Sequence, residues 1–480
     1  MAGKYAVPAE IRAMKPKGTM VKKLSGGYYV YTFTSIRDEN GKRKTKMGPC
    51  VGKIDPERGF IPNEAYPDQE YSILEFGPWA VADDLAQGTH GLLSESIDPT
   101  TADKVFVIAL CHFLEHTLST NDVDRLYEMS VLRLRYPDLT FDQDAIDALL
   151  VDLGKEDGPS DQFERALATR CSGAVAIERY PVAPACQNSV PSDLAHDYLP
   201  DEEPPYNLVV ALEIETGRPV CSTLCEGQAI DFMGQIPFEN VTVLTNLGFG
   251  HEEDRKAFLE NGNDYVMPLG PDDERYTEAV SDLNLPGRFT YVNKKDYATI
   301  IEYADRIIDD RRVLVVRNVV EQLLEQEDFE RNMAWEEDGY TAGNYERYAP
   351  YMGIHVLETS LDHNQYDAEA VYRLCMRWQD TESHLKCLEC LRNSQPPSLK
   401  YRSLWQGLAL VLLVSSLIEH EVKGRIAKAY RKRTVADVLT DARAIKIVHE
   451  RNTWVAVNRN EKRDKLFDRL GIGLAALRTS

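Results

Sequence analysis

The sequence predicts an α/β fold: a mixed-sheet core with an insertion, a small N-terminal β-unit and flanking helices. Three observations carry this. Short β-branched runs in the middle of the chain alternate with stretches of helical periodicity. Two of those runs, 207–212 and 219–224, are joined by the turn-forming Glu215-Thr-Gly217-Arg218. An aromatic, cation-rich hairpin pattern at 28–54 stands ahead of them, set off by a stretch rich in Pro and Gly.

The elements follow in order. Residues 28–35 are aromatic and β-branched, Asp38-Glu-Asn-Gly41 supplies a turn, and 42–47 return, followed by 50–54. Residues 55–78 read as a linker. From 101 to about 153 the apolar spacing is helical: Val105, Ile108, Ala109 and Phe113 share a face, as do Val131, Leu132 and Leu134. Asp157-Gly-Pro-Ser160 breaks that run. Residues 174–177 form a short apolar strand leading into Glu178, and a polar excursion at 187–205 precedes the hairpin. The run 241–245 is a buried strand that delivers Asn246 to the rim of a sheet, where ligands usually sit. A charged helix at 251–260 and a strand at 264–269 come next.

An antiparallel hairpin followed by alternating β and α units suits a ribonuclease-H-like sheet. A doubly wound nucleotide-binding sheet fits less well, because no Gly-rich phosphate loop follows any strand. Residues 271–355 are acidic and mixed, with strands at 289–292 and 312–317, and read as an insertion. Residues 367–392 form an amphipathic helix through Val371, Leu374, Trp378, Leu385, Leu388 and Leu391. Helices from Leu404, through the capping-like Thr434-Val-Ala-Asp437, to Leu477 close the chain. The organisation is thus 1–63 as a basic β-rich unit, 64–160 as a linker and helical DNA-binding region, 161–270 as the first part of the core, 271–355 as the insertion, and 356–480 as the rest of the core with C-terminal helices.

Charge narrows the function classes. A net charge of -22 argues against a protein that coats nucleic acid indiscriminately. Residues 1–60 nevertheless hold 13 Lys/Arg against 5 Asp/Glu, and 423–433 hold six Lys/Arg and no carboxylate. Lys22, Lys23, Lys42, Arg43, Lys44 and Lys46 are therefore candidate phosphate contacts; the alternative is that they are edge-strand charges deterring aggregation. The N-terminus lacks an apolar signal region, and the apolar stretch 404–418 is too short to span a bilayer. Nine cysteines without a regular framework suit packing thiols in a reducing cytoplasm.

The order and motifs resemble bacterial insertion-sequence transposases of the DDE type. Tyr28-Tyr-Val-Tyr31, Cys50-Val-Gly-Lys-Ile-Asp-Pro56 and Phe60-Ile-Pro-Asn63 look like their N-terminal region. Glu215-Thr-Gly-Arg-Pro219 with Gly227-Gln-Ala-Ile-Asp231 looks like their sheet hairpin and following turn. Asn246-Leu-Gly-Phe249 is similar to the second acidic motif, and the helix with Tyr372, Arg377, Glu382 and Lys386 to the third. The resemblance implies a mobile-element protein of DNA recombination. Such a protein binds double-stranded DNA at element ends and cuts and joins it with Mg²⁺. It implies a bacterial cytoplasmic protein with no membrane association, with a homodimer as one expected assembly.

The departures bear on the chemistry. Glu178 stands where such proteins place an aspartate, and Asn246 is an amide. Arg377 precedes Glu382 by one residue more than the pattern, and Glu389 occupies the expected lysine position. Two-metal phosphoryl transfer holds its ions about 3.5–4 Å apart, and hard Mg²⁺ prefers anionic oxygens, so roughly three carboxylates are wanted. An asparagine offers one neutral carbonyl oxygen. Glu178, Asn246 and Glu382 are the expected catalytic positions and the two glutamates the expected metal ligands. Impaired catalysis is expected; the alternative is an inactive DNA-binding or interaction protein of transposase descent. Each residue also has an ordinary role open to it: Glu178 paired with a surface cation, Asn246 capping a helix, and Glu382 in an i, i+4 pair with Lys386.

Overall fold

The computed structural model describes residues 7–478 apart from 25–26, 38–42, 57–58, 63–72, 117–119, 183–205, 227–237, 246–251, 294–295, 386–401, 451–452 and 474–476. The chain forms two compact units, residues 1–73 and 74–480.

In the first unit a short helix α1 (Ala9–Ala13) precedes four antiparallel strands: β1 (Thr19–Leu24), β2 (Gly27–Arg37), β3 (Arg43–Asp55) and β4 (Gly59–Pro62), in that spatial order. Ile11, Val30 and Ile54 make its small core. The sequence divides β3 into two runs; it is one strand, and register shifts against β2 between Val30 and Phe33 absorb the irregularity. Gly48 sits there, where a Cβ would lie 2.2 Å from Thr32 Oγ1. The expected linker 55–78 is a correction in part. Its beginning pairs with β3 as β4, and its end is strand β5 (Ile73–Glu75) followed by helix α2 (Gly77–Leu85).

The second unit continues with α3 (Gln87–Ser96), α4 (Pro99–Glu115), α5 (Thr120–Met129), α6 (Leu132–Arg135), α7 (Gln143–Leu153) and α8 (Pro159–Ala168). Aspartates start two of these helices: Asp98 and Asp142 accept from the backbone N–H of Thr101 and Ala145. Then come β6 (Ala174–Val182), β7 (Tyr206–Glu213), β8 (Arg218–Glu226), β9 (Thr242–Thr245), α9 (Glu252–Leu259) and β10 (Asp264–Pro268). The next elements are α10 (Glu274–Ser281), β11 (Gly287–Val292), β12 (Ala298–Ile308), β13 (Arg311–Asn318), α11 (Val319–Ala334), α12 (Ala342–Tyr348) and β14 (Ile354–Thr359). The chain ends with α13 (Ala368–Leu385), α14 (Arg402–Ala429), α15 (Val435–Ala442), β15 (Lys446–Glu450), β16 (Thr453–Val457), α16 (Glu461–Leu470) and β17 (Leu477–Arg478).

The fold is mixed α/β around a nine-stranded mixed sheet, ordered β11-β12-β13-β14-β10-β9-β6-β7-β8. Strands β6, β9 and β10 run parallel; β7 is antiparallel to both β6 and β8. Alternation along β6 sorts the two faces. Val175 and Ile177 join a large helical core with Phe106, Val411 and Phe163, whereas Ala174 and Ala176 meet Leu244, Leu314, Val371 and Tyr372 on the other side.

Two sequence readings change here. Residues 271–355, which the sequence reads as an insertion, supply strands to the sheet: β11 to β13 extend it, and β14 enters between β13 and β10. Strand β12 escapes pattern reading because Glu302, Asp305 and Arg306 interrupt its apolar run, and those charges pair with Arg317, Arg312 and Asp282. The C-terminal region is not wholly helical either. Strands β15, β16 and β17 join β5 in a four-stranded sheet. The capping box at Thr434 and Asp437 does start α15.

Helix α14 is 28 residues long, not the fifteen of its apolar stretch. By length and composition it could cross a membrane, yet 78% of its most apolar window is buried inside the protein. It packs against α7 through two glycines. A Cβ on Gly407 would stand 2.0 Å from the Leu150 carbonyl oxygen, and one on Gly154 1.8 Å from that of Ser403. Helices α2 to α8 share one core with α14 and with Val175 and Ile177 of the sheet, across the boundary the sequence suggests at residue 160.

Candidate functional site

Strand β6 places Glu178. Its parallel pairing with β9 ends at Ile177 opposite Thr245, and Glu178 is the next residue, opposite Val210 of β7. The sequence ends the strand at this point; the strand runs on to Val182, paired with β7. Counting along the pleat from Ala174 and Ala176 puts Glu178 on the face that carries α13, away from the large helical core. The carboxylate is half-buried. Asn246 lies outside the described residues, directly after the last residue of β9.

Glu382 belongs to α13, but its side chain, like those of Trp378 and Leu385, lies outside the described atoms. The course of the helix is nonetheless fixed by its earlier turns. Val371 and Tyr372 are buried on the sheet, with Tyr372 edge-on to Phe289 and Tyr291. Arg377 then pairs with Glu215 in the β7–β8 turn. That turn lies beyond Glu213, whose rung with Val175 is three residues from that of Val210 with Glu178, roughly 10 Å at 3.3 Å per residue. Helix α13 therefore reaches the opposite end of β6 from Glu178 by residue 377. Among the described residues no group of three or more His, Cys, Asp or Glu could hold a metal ion.

The densest charged cluster of the second unit lies elsewhere, and sequence reading missed it. Glu358 of β14 is fully buried and accepts from Arg255 Nε (2.8 Å), Arg275 Nη1 (2.6 Å), Arg311 Nη1 (3.2 Å) and Tyr265 OH (2.6 Å). Burial alone would raise its pKa, but those hydrogen bonds and the guanidinium charges hold the carboxyl below its ordinary value. Asp273 and Glu252 neutralise Arg275 and Arg311 in turn. With every partner engaged, the cluster clamps α9, β10, β13 and β14 together rather than offering a reactive group. No periodicity announces it, because its members come from five separated segments.

A second buried carboxyl is less well served. Glu164 of α8 has Oε1 on the Ser222 backbone N–H (3.3 Å), whereas its Oε2 and the hydroxyls of Ser160 and Ser222 have no hydrogen-bond partner among the described residues. Burial pushes its pKa up to about 8.

The basic residues of the first unit form rows across its sheet. Lys22 stands opposite Tyr29, and Tyr29 opposite Lys53, so two exposed cations flank one aromatic ring on the face away from Val30. Lys23 Nζ lies 5.8 Å from the centre of the Tyr28 ring. Lys46 is exposed opposite Thr34. Arg43 and Lys44 hold strand positions opposite Arg37 and Ile36, which sets two arginines on neighbouring strands at one level. Their side chains, and Lys42 altogether, lie outside the described atoms. Lys53 stands with this set, although the sequence reading did not single it out.

No known protein family and no curated protein matches the chain. One solved structure, a piggyBac transposase synaptic complex with hairpin DNA, is similar over 76% of this chain and 77% of that one, with a TM-score of 0.35 and 10% identity. A superposition this loose carries neither fold nor function across.

Proposed function

We propose that the chain is a transposase-type protein that binds duplex DNA through its basic β-unit and whose two-metal chemistry is impaired. The observation behind this reading is the strand order β8-β7-β6-β9-β10, with β7 reversed and β6, β9 and β10 parallel. That is the order and direction of a ribonuclease-H-like sheet. In such a sheet a carboxylate on the first strand and a group after the fourth meet at one rim. This reading assigns Glu178, which follows the last β6–β9 rung, and position 246 to those places.

A divalent ion at that rim would polarise and position phosphoryl oxygens, and it would need several anionic ligands. The residues present do not fit. Glu178 supplies one carboxylate, position 246 supplies an amide, and α13 leads its later residues toward the far end of β6. DNA contact rests on separate residues, the rows around Lys22, Tyr29, Lys53 and Lys46. Phosphate neutralisation by such cations supplies most of sequence-independent affinity. On this reading the protein acts in the bacterial cytoplasm, and a homodimer would bring two DNA ends together.

The reading is tested with the purified chain and a duplex spanning the DNA that flanks its gene, in Mg²⁺ or Mn²⁺. Binding without nicking is expected. Efficient nicking by the unmodified chain, abolished by Glu178→Gln or Glu382→Gln, would overturn the impaired-chemistry part. Absence of duplex binding at low salt would overturn the whole.

A further inference from the structure

The second basic stretch borders a cavity in the second unit. Between α3 and the last turns of α14 lies a space of about 640 Å³ lined by Thr89, Arg218, His420, Glu421, Arg425 and Lys428, among others. Its one acidic wall is already engaged. Glu421 Oε2 accepts from the Thr89 backbone N–H (2.9 Å) and hydroxyl (3.1 Å), so the first turn of α3 neutralises part of its charge. Gly88 permits this approach, because a Cβ there would lie 2.5 Å from Glu421 Oε1. Arg425 is 3.6 Å from that same oxygen and 61% exposed.

The cations around the cavity are under-neutralised for so acidic a chain. Elsewhere in the second unit many arginines hold carboxylates at hydrogen-bond distance, as Arg255, Arg275, Arg311 and Arg312 do. Lys423, Lys428, Arg431 and Lys432 are exposed and have no ion-pair partner among the described residues. Arg425 and Lys428, three residues apart on one face of the helix, both line the cleft. Neighbouring cations on a cleft wall suit a polyanion better than a single ion, since several phosphates can be met at once.

We propose that this cleft is a second duplex-DNA contact, in which Arg425 and Lys428 hold backbone phosphates and Arg431 and Lys432, just beyond the end of the helix, meet those that follow. The inference rests on the DNA-binding reading above but on different residues, so the two can fail separately. The experiment measures the affinity of the full chain for a short duplex as a function of salt. It compares the parent with Arg425→Gln/Lys428→Gln, with Lys22→Ala/Lys23→Ala/Lys46→Ala, and with Lys462→Gln/Lys465→Gln as a control for lost charge elsewhere. Inorganic phosphate is titrated in parallel. The Arg425/Lys428 variant should flatten the log–log slope by about two, at roughly 0.9 per phosphate, with an unchanged melting temperature and no such effect from the control. A slope equal to the parent's, while the first-unit variant flattens it, overturns the cleft and leaves the first unit standing. The reverse pattern supports the cleft and removes the first unit. Saturable phosphate binding lost in the Arg425/Lys428 variant, without any duplex effect, replaces DNA by a small phosphate ligand and overturns the proposal. No duplex binding by the parent overturns both.

Discussion

Ile177 and Thr245 form the last parallel rung between β6 and β9, and Glu178 follows at once. From there β6 pairs, among the described residues, with β7. The alternation that buries Val175 and Ile177 among helices puts Glu178 on the opposite face. This placement joins a local pattern, an apolar strand ending in a carboxylate, to its position in the sheet order.

If the rim lacks one negative charge for a divalent ion, restoring it strengthens binding. Asn246→Asp should tighten Mn²⁺ binding at least about tenfold, which is roughly 1.4 kcal/mol, and Glu178→Gln should cancel the gain. Calorimetric titration of the purified variants reads this directly. Equal affinities for the parent and Asn246→Asp would remove position 246 from any metal site.

The contact between α7 and α14 leaves no room for a methyl group. Gly407→Ala should destabilise the second unit by about 1–3 kcal/mol, the range of overpacked interiors, because its Cβ meets backbone rather than a side chain that can turn away. Gly424, in the same helix, has nothing within 4 Å of a built Cβ, so Gly424→Ala should be neutral or stabilise by up to about 1 kcal/mol. Denaturant unfolding of both variants checks the contrast; equal effects would mean that helix propensity alone governs the two sites.

Glu164 gives a pH signature of definite sign. Its carboxyl titrates near 4.5 when exposed and near 8 when buried, so between those values the folded chain holds a proton the unfolded chain has lost. Stability should therefore fall as pH rises through that window, by about 1.4 kcal/mol per unit at most, and level off above it. Glu164→Gln, which cannot ionise, should match the parent near pH 5 and exceed it at pH 8. Parallel stability curves for the two proteins would show that Glu164 does not titrate in this window.

Glu358 is the reverse case, a buried carboxylate that its surroundings require. Glu358→Leu would leave Arg255, 2% exposed, without its main counter-charge. Breaking one side of such a pair costs roughly 3–5 kcal/mol, so the variant should unfold at markedly lower denaturant. Adding Arg255→Leu should recover part of the loss. A single variant as stable as the parent would show the cluster to be incidental.

Much of the core was legible because its strands are short, β-branched and cleanly bounded. The hairpin around Gly217, the strand before Glu178 and the helix starting at Thr434 follow from local chemistry that tertiary contacts reinforce. What escaped reading depends on long-range pairing. Strand β12 carries Glu302, Asp305 and Arg306, which only the neighbouring arginines and Asp282 make tolerable. Strand β15 is five residues long, and besides its hairpin partner β16 it lies against β5, from the far side of the chain. The candidate residues show the same division: the strand that carries Glu178 is legible from its apolar run, whereas the path of α13 follows from the Arg377–Glu215 pair, which no spacing rule reveals. Lys53 was missed for a related reason, since its partner across the sheet is Tyr29 rather than a residue near it in sequence.

The central claim is that the exposed cation–aromatic rows of the first unit hold duplex DNA. Its most direct measurement is the salt dependence of duplex affinity for the parent chain and for Lys22→Ala/Lys23→Ala/Lys46→Ala/Lys53→Ala. The account predicts a steep linear fall of log affinity with log salt for the parent, and a slope shallower by about three to four units in the variant at roughly 0.9 per phosphate. Identical slopes for the two proteins would contradict it.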